Sequence, residues 1–192
     1  MSFYRRRLPH WQPEGVSIFL TWRLFGSLPK QKLYERSEAI LTEGQRFLAI
    51  DRQMDAAATG PTWLKNPAIA GCVVDTLFLG EQEWELYKLC AWVVMSNHVH
   101  VLLTPRVKLA DVTRSIKKTS ARQANLILAR TGQPFWQDES YDHWVRDGKE
   151  FDRITAYIEW NPVRAGLVKC VEKWPWSSAS ILAGREPASR LV

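Results

Sequence analysis

Long apolar runs, cysteine and histidine are all scarce in this sequence. No run approaches the roughly 18 residues that a membrane-spanning helix needs. The longest, residues 89–95, is the length of a strand. Three cysteines (Cys72, Cys90, Cys170) show no CxxC spacing and cannot all pair within one chain, which argues against a disulfide framework. A reduced cytoplasmic protein is expected, with the thiols packed as small hydrophobes. The start, MSFYRRRLPHW, is basic and lacks the apolar stretch of a secretory signal. No internal repeat or low-complexity tract interrupts the chain, and 46% hydrophobic content over 192 residues is enough for a core, which excludes disorder for most of it.

What is present is basic and aromatic. Twenty-six Lys and Arg against 20 Asp and Glu leave a formal charge of +6, with ten tryptophans. That balance favours a polyanionic partner such as nucleic acid, and aromatics beside Lys and Arg are what base stacking uses. Most of the tryptophans are nonetheless expected to serve as packing.

Residues 2–13 read as an arm in which Arg5, Arg6 and Arg7 sit among Phe3, Tyr4 and Trp11, with Pro9 and Pro13 preventing regular structure. Residues 16–24 are apolar and β-rich, a strand. Pro29 opens a helical pattern to about Ile50, residues 51–67 read as a loop or insertion, and Pro67 starts a helix to about Leu79. Residues 83–94 and 99–103 form two strands with Asn97 at their turn. Residues 109–129 return to helical spacing, and Arg114, Lys118 and Arg122 (i, i+4, i+8) fall on the side opposite the apolar stripe, a phosphate-binding candidate without an acid in the row. Asp147 and Glu150 resemble a capping box for a helix that buries Phe151, Ile154 and Ile158 and that Pro162 limits. The order predicts an α+β fold with an antiparallel sheet.

Chemistry concentrates in two places. In VVMSNHVHVLLTP, His98 and His100 alternate with Val99, so a strand turns both imidazoles to one face, where they can share a divalent cation. No zinc-finger spacing or HExxH accompanies them, which leaves an open site completed by water or phosphate oxygens. In YIEWNP, Tyr157 and Asn161 are i and i+4, one above the other on a continuous helix. Asn161 could lend an amide oxygen to the cation; it could equally be an N-cap before Pro162, and Tyr157 a boundary residue.

Together the blocks AWVVMSNHVHVLLTP, FWQDESYDHWVRD and YIEWNPVRAGLV, in that order, resemble the REP-associated tyrosine transposases, single-tyrosine relatives within the HUH endonuclease superfamily. The resemblance runs from the RRLPHW of residues 6–11 to the WPWSS of residues 174–178. It implies a ferredoxin-like or RRM-like antiparallel sheet with helices packed on one face. It also implies His98 and His100 as metal ligands, Tyr157 as the catalytic tyrosine and Asn161 as the polar residue completing coordination. Ser96 stands where the family often has proline. The expected activity is transposase-like: an endonuclease and strand transferase that cleaves and rejoins single-stranded hairpin (REP) DNA through a 5′-phosphotyrosine, with Mg²⁺ or Mn²⁺. Two imidazoles tilt that choice toward Mn²⁺. Phosphate contacts are expected from Arg5, Arg6, Arg7, Arg114, Lys118 and Arg122. The domain plan is an arm (1–15), one catalytic domain (16–168) with an insertion near 51–80, and a tail (169–192). The protein is expected in the bacterial cytoplasm at the nucleoid, as a monomer or homodimer with a lean to monomer. Two other readings stand: a silent DNA-binding regulator of repeat hairpins, and a metal-dependent nuclease that uses water. Tyr141 is the rival nucleophile, with His143 nearby as a local acid or base, or for packing.

Overall fold

A computed structural model describes residues 15–28, 42–57 and 59–182. The arm with Arg5, Arg6 and Arg7 and most of the helix expected from Pro29 lie outside the described residues. Four strands, β1 (Ile18–Arg23), β2 (Tyr87–Val94), β3 (His98–Pro105) and β4 (Tyr141–Trp144), form one antiparallel sheet in the order β2-β3-β1-β4. Helices α1 (Glu43–Ala56), α2 (Pro67–Gln82), α3 (Leu109–Ile127), α4 (Gly148–Glu159), α5 (Asn161–Arg164) and α6 (Ser178–Leu182) complete it. A strand, two helices, a hairpin, a helix and an edge strand, in this spatial order, give the expected ferredoxin-like sheet with helices packed on it.

Strand alternation sorts the side chains into two cores. Ile18, Leu20 and Trp22 of β1 and Val99, Val101 and Leu103 of β3 face α2 and α3, where Ile69, Val73, Leu77, Val112 and Ile116 close over them. Phe19, Ala91, Val93 and Leu102 point the other way and are covered by Ile154 and Ile158 of α4, with Phe47 of α1 packed alongside. Helices therefore lie on both faces, not on one as expected. Both faces of β1 and β3 are buried, one around the apolar stripe and the other around Phe19 and Leu102 with Thr21, His98 and His100.

One further expectation needs correction, and one strand was not expected. Residues 51–56 are the last turns of α1 and not a loop. The helix starts at a reciprocal capping box, Thr42 with Gln45, and stops where Ala57 turns left-handed at φ 43°. Ala56, which reads as loop filler, is a good helix former. The fourth strand, YDHW, is too short and polar to announce itself; pairing with β1 makes it a strand.

The WPWSS segment lies along the outer edge of β2. The Val94 N–H donates to the Trp176 carbonyl at 2.8 Å and the Trp174 indole donates to the Val94 carbonyl at 3.0 Å. The Trp92 N–H donates to the Ser178 hydroxyl at 3.2 Å. Among the described residues no helix is long and apolar enough to cross a membrane, and the three cysteines are free and partly buried.

Candidate metal and tyrosine centre

Strand β3 is central, flanked by β1 and β2, so His98 and His100 are fully buried on one face. Their partners across the ladder are Arg23 and Thr21. The Asn97 amide nitrogen donates to the Met54 carbonyl at 3.0 Å, which leaves its amide oxygen to accept from His98 Nδ1 at 2.7 Å. That fixes the ring's proton on Nδ1 and turns a bare Nε2 inward. His100 Nδ1 pairs with the Thr21 hydroxyl at 2.7 Å, which turns its Nε2 inward as well. The two Nε2 atoms then stand 3.1 Å apart. Burial, then His100, pushes the His98 imidazole down to about 3, so it is neutral at any physiological pH.

Helix α1 supplies the residue the motifs did not single out. Asp51, 2% exposed, places Oδ1 3.1 Å from His100 Nε2 and 3.6 Å from His98 Nε2. Asp51, His98 and His100 offer atoms close enough to hold one metal ion. Asp55, one turn on, places Oδ1 3.6 Å from His98 Nε2. Oδ1 of Asp51, of Asp55 and of Asn161 are all buried without a hydrogen-bond partner. The two carboxylate oxygens among these stand within 3.6 Å of inward-facing imidazole nitrogens, an arrangement costly by itself that fits a divalent cation. Burial pushes Asp51 up, but His100, His98 and the Tyr157 hydroxyl outweigh it and hold the carboxyl below the usual carboxylate range. Asp55 goes the other way, raised to about 7 by burial and by the charge of Asp51.

Tyr157, in the last turns of α4, donates its hydroxyl to Oδ2 of Asp51. One carboxylate thus touches the histidines with one oxygen and the tyrosine with the other. Burial and Asp51 push the phenol well above its ordinary value, so the resting tyrosine is protonated. The Arg164 guanidinium lies 4.0 Å from the Tyr157 ring centroid. Asn161 is not on the same continuous helix: the chain restarts there as α5, with Pro162 in its first turn and Trp160 at the cap. Its Nδ2 still reaches His100 Nε2 at 3.3 Å and Asp51 Oδ2 at 3.4 Å, and a half-turn of the amide would present the orphaned oxygen instead.

The other candidates are sorted by the fold. Tyr141 and His143 share the site's sheet face through β4; Tyr141 stacks on Phe47 at 4.4 Å and His143 Nε2 pairs with Glu150 at 3.2 Å. Arg114, Lys118 and Arg122 are exposed on α3, across the sheet from Tyr157. The row is not free of acid, because Arg114 pairs with Asp111 at 2.8 Å. Sequence reasoning missed Thr21, Asp51, Asp55 and Asn97; an aspartate pair at i, i+4 before an alanine run was the available signal.

This centre lies largely inside a family match. The model of IS200-like transposases covers residues 74–161, which takes in His98, His100, Tyr157 and Asn161 and leaves out Asp51 and Asp55. The REP-associated tyrosine transposase of Escherichia coli (strain K12) is 32% identical over 95 residues, 48% of this chain and 54% of the relative, so the match spans about half of that protein's length. A solved structure described as a REP-associated tyrosine transposase bound to a REP hairpin superposes with a TM-score of 0.58 over 96% of this chain and 87% of its own, at 22% identity, a likeness of fold. The resemblance drawn from the motifs therefore holds in family pattern, in sequence and in fold.

Proposed function

We propose that this chain cleaves and rejoins single-stranded DNA of the REP-hairpin kind, with Tyr157 as nucleophile beside a divalent cation held by Asp51, His98 and His100, and with Asn161 as a further oxygen ligand. The observation that carries the reading is the bridging carboxylate of Asp51, which joins the tyrosine to the histidine pair. The phenol oxygen attacks phosphorus, the P–O3′ bond breaks, and the products are a 5′-phosphotyrosine and a 3′-hydroxyl. Asp51 Oδ2 is placed to take the phenolic proton, and the leaving 3′-oxygen is protonated from solvent. When bound, the cation supplies the charge that polarises the phosphate and favours phenolate. With imidazole donors, Mn²⁺ suits the set better than Mg²⁺. Tyr157 stands over the histidines of its own chain, and the WPWSS segment occupies the β2 edge, which supports a monomer acting in cis. Residues 16–168 act as the catalytic domain. The exposed Arg114, Lys118 and Arg122 are assigned to hairpin phosphates away from the nucleophile, with Arg5, Arg6 and Arg7 as further contacts.

A denaturing gel of the protein with labelled single-stranded hairpin DNA and Mn²⁺ tests this. A protease-sensitive labelled band is expected, lost with Tyr157→Phe and with EDTA. Cleaved DNA that persists in Tyr157→Phe would establish water chemistry and overturn the tyrosine assignment.

A further inference from the structure

Helix α1 turns a half-charged stripe toward the sheet. Positions 47, 51, 54 and 55 stand at i, i+4, i+7 and i+8, the spacing of one helical face. Phe47 and Met54 are apolar, but the other two positions are Asp51 and Asp55. Asp51, at 2% exposure, is buried as deeply as Met54 at 3%, and the Asp55 side chain retains 16%. On the opposite face of the sheet, α2 packs with Ile69, Val73 and Leu77. The partners of the two aspartates do not offset their burial. Asn97 satisfies the Met54 carbonyl and Tyr157 satisfies Asp51 Oδ2, but Oδ1 of Asp51 and Oδ1 of Asp55 are buried without a hydrogen-bond partner. His98, protonated on Nδ1, turns a bare Nε2 to Asp55 Oδ1 at 3.6 Å, so that an acceptor faces an acceptor. Two desolvated carboxylates one turn apart oppose the docking of the helix that carries them.

We propose that Asp55 is a further ligand of the cation, and that α1 docks on the sheet by sharing that cation between its own Asp51 and Asp55 and the histidine pair of β3. The assignment rests on the cation reading above and is independent of the tyrosine chemistry. Asp51 Oδ1 stands 3.1 Å from His100 Nε2 and Asp55 Oδ1 stands 3.6 Å from His98 Nε2. Carboxylate oxygens beside imidazole nitrogens suit Mn²⁺. Both aspartates lie outside residues 74–161, so the clasp is an addition of this chain to the part that the family model covers. A ligand that binds the docked form alone draws the helix down by mass action. Docking then brings Asp51 Oδ2 to the Tyr157 hydroxyl, so loading the histidine pair and seating the proton acceptor are one event.

The test follows deuterium exchange of the α1 amides by mass spectrometry at pH 8, without DNA, in EDTA and in Mn²⁺. The Mn²⁺ is set at about 100 times its dissociation constant, measured by electron paramagnetic resonance on the same protein. Exchange across α1 is expected to slow by up to about 100-fold in Mn²⁺, the factor that such an excess gives a ligand of one state. Exchange in α2 and α3, on the other face of the sheet, should stay the same. Trypsin cleavage after Arg46 and Arg52, both exposed on α1, should slow in parallel. Asp55→Asn keeps the shape and removes the charge. It should weaken Mn²⁺ binding by at least about 10-fold, the loss that even an outer support of a metal brings. In EDTA the same variant should protect α1 better than wild type, because its amide N–H can donate to His98 Nε2. An aspartate that merely supported the helix would give the reverse in EDTA. Wild-type protein that binds Mn²⁺ with α1 exchange unchanged would overturn the clasp and keep the cation. Asp55→Asn that binds Mn²⁺ as tightly as wild type would overturn the ligand assignment. Wild-type protein that binds no Mn²⁺ would remove the cation reading and the clasp with it.

Discussion

Thr21 and Asn97 hold the Nδ1 atoms of His100 and His98, and so set which nitrogen of each histidine faces the candidate centre. Thr21→Val keeps shape in a site 4% exposed and removes the partner of His100 Nδ1. Mn²⁺ affinity, measured by electron paramagnetic resonance, is expected to fall by about 10- to 100-fold, the usual effect of losing such a support. Glu150 gives a second prediction at this scale. Burial raises its carboxyl, but the Arg146 N–H and His143 outweigh that and leave it below the ordinary glutamate value. A carboxyl lowered on folding stabilises above its unfolded pKa, and that contribution is lost as pH falls through the folded one. Glu150→Gln should therefore lower the urea midpoint at pH 7 and match wild type more closely at pH 3.5; a gap that widens in acid would contradict the assignment. At the residue scale, His98 and His100 were legible because the alternation of a strand is rigid. Asp51 was not, because nothing in local spacing tells an aspartate in α1 that β3 lies beneath it.

Among the elements, α1 and α4 matter most, since each delivers one half of the Asp51–Tyr157 contact. Helix α4 begins at Asp147, whose carboxylate accepts the Glu150 N–H at 2.8 Å. Asp147→Ala should cost about 0.5–2 kcal/mol, read from the urea midpoint, with covalent activity retained under native conditions. The box foreseen from the sequence is only half present, because the Glu150 side chain turns to Arg146 and His143 instead of the cap. Both amphipathic helices, α3 and α4, were legible from their apolar stripes, as was the hairpin of β2 and β3. The end of α1 and the strand β4 were not. The first is set by a left-handed alanine that no composition rule marks, and the second by pairing with residues more than a hundred positions away.

For the whole molecule, the sheet separates the candidate sites by face: Asp51, His98, His100 and Tyr157 on one side, Arg114, Lys118 and Arg122 on the other. The β2 edge, which could otherwise template pairing with a second chain, is occupied by residues 174–178. Light scattering at micromolar concentration is expected to return a mass near 22.2 kDa, and a concentration-independent dimer would contradict action in cis. The central claim is narrower than this. Trypsin places the two candidate tyrosines in different peptides, residues 131–146 with Tyr141 and residues 154–164 with Tyr157. Mass spectrometry of the protein after reaction with single-stranded hairpin DNA and Mn²⁺, followed by nuclease and trypsin, should find the nucleotide phosphate on the peptide of residues 154–164. The same mass shift on residues 131–146, or cleaved DNA with neither peptide modified, would contradict the account.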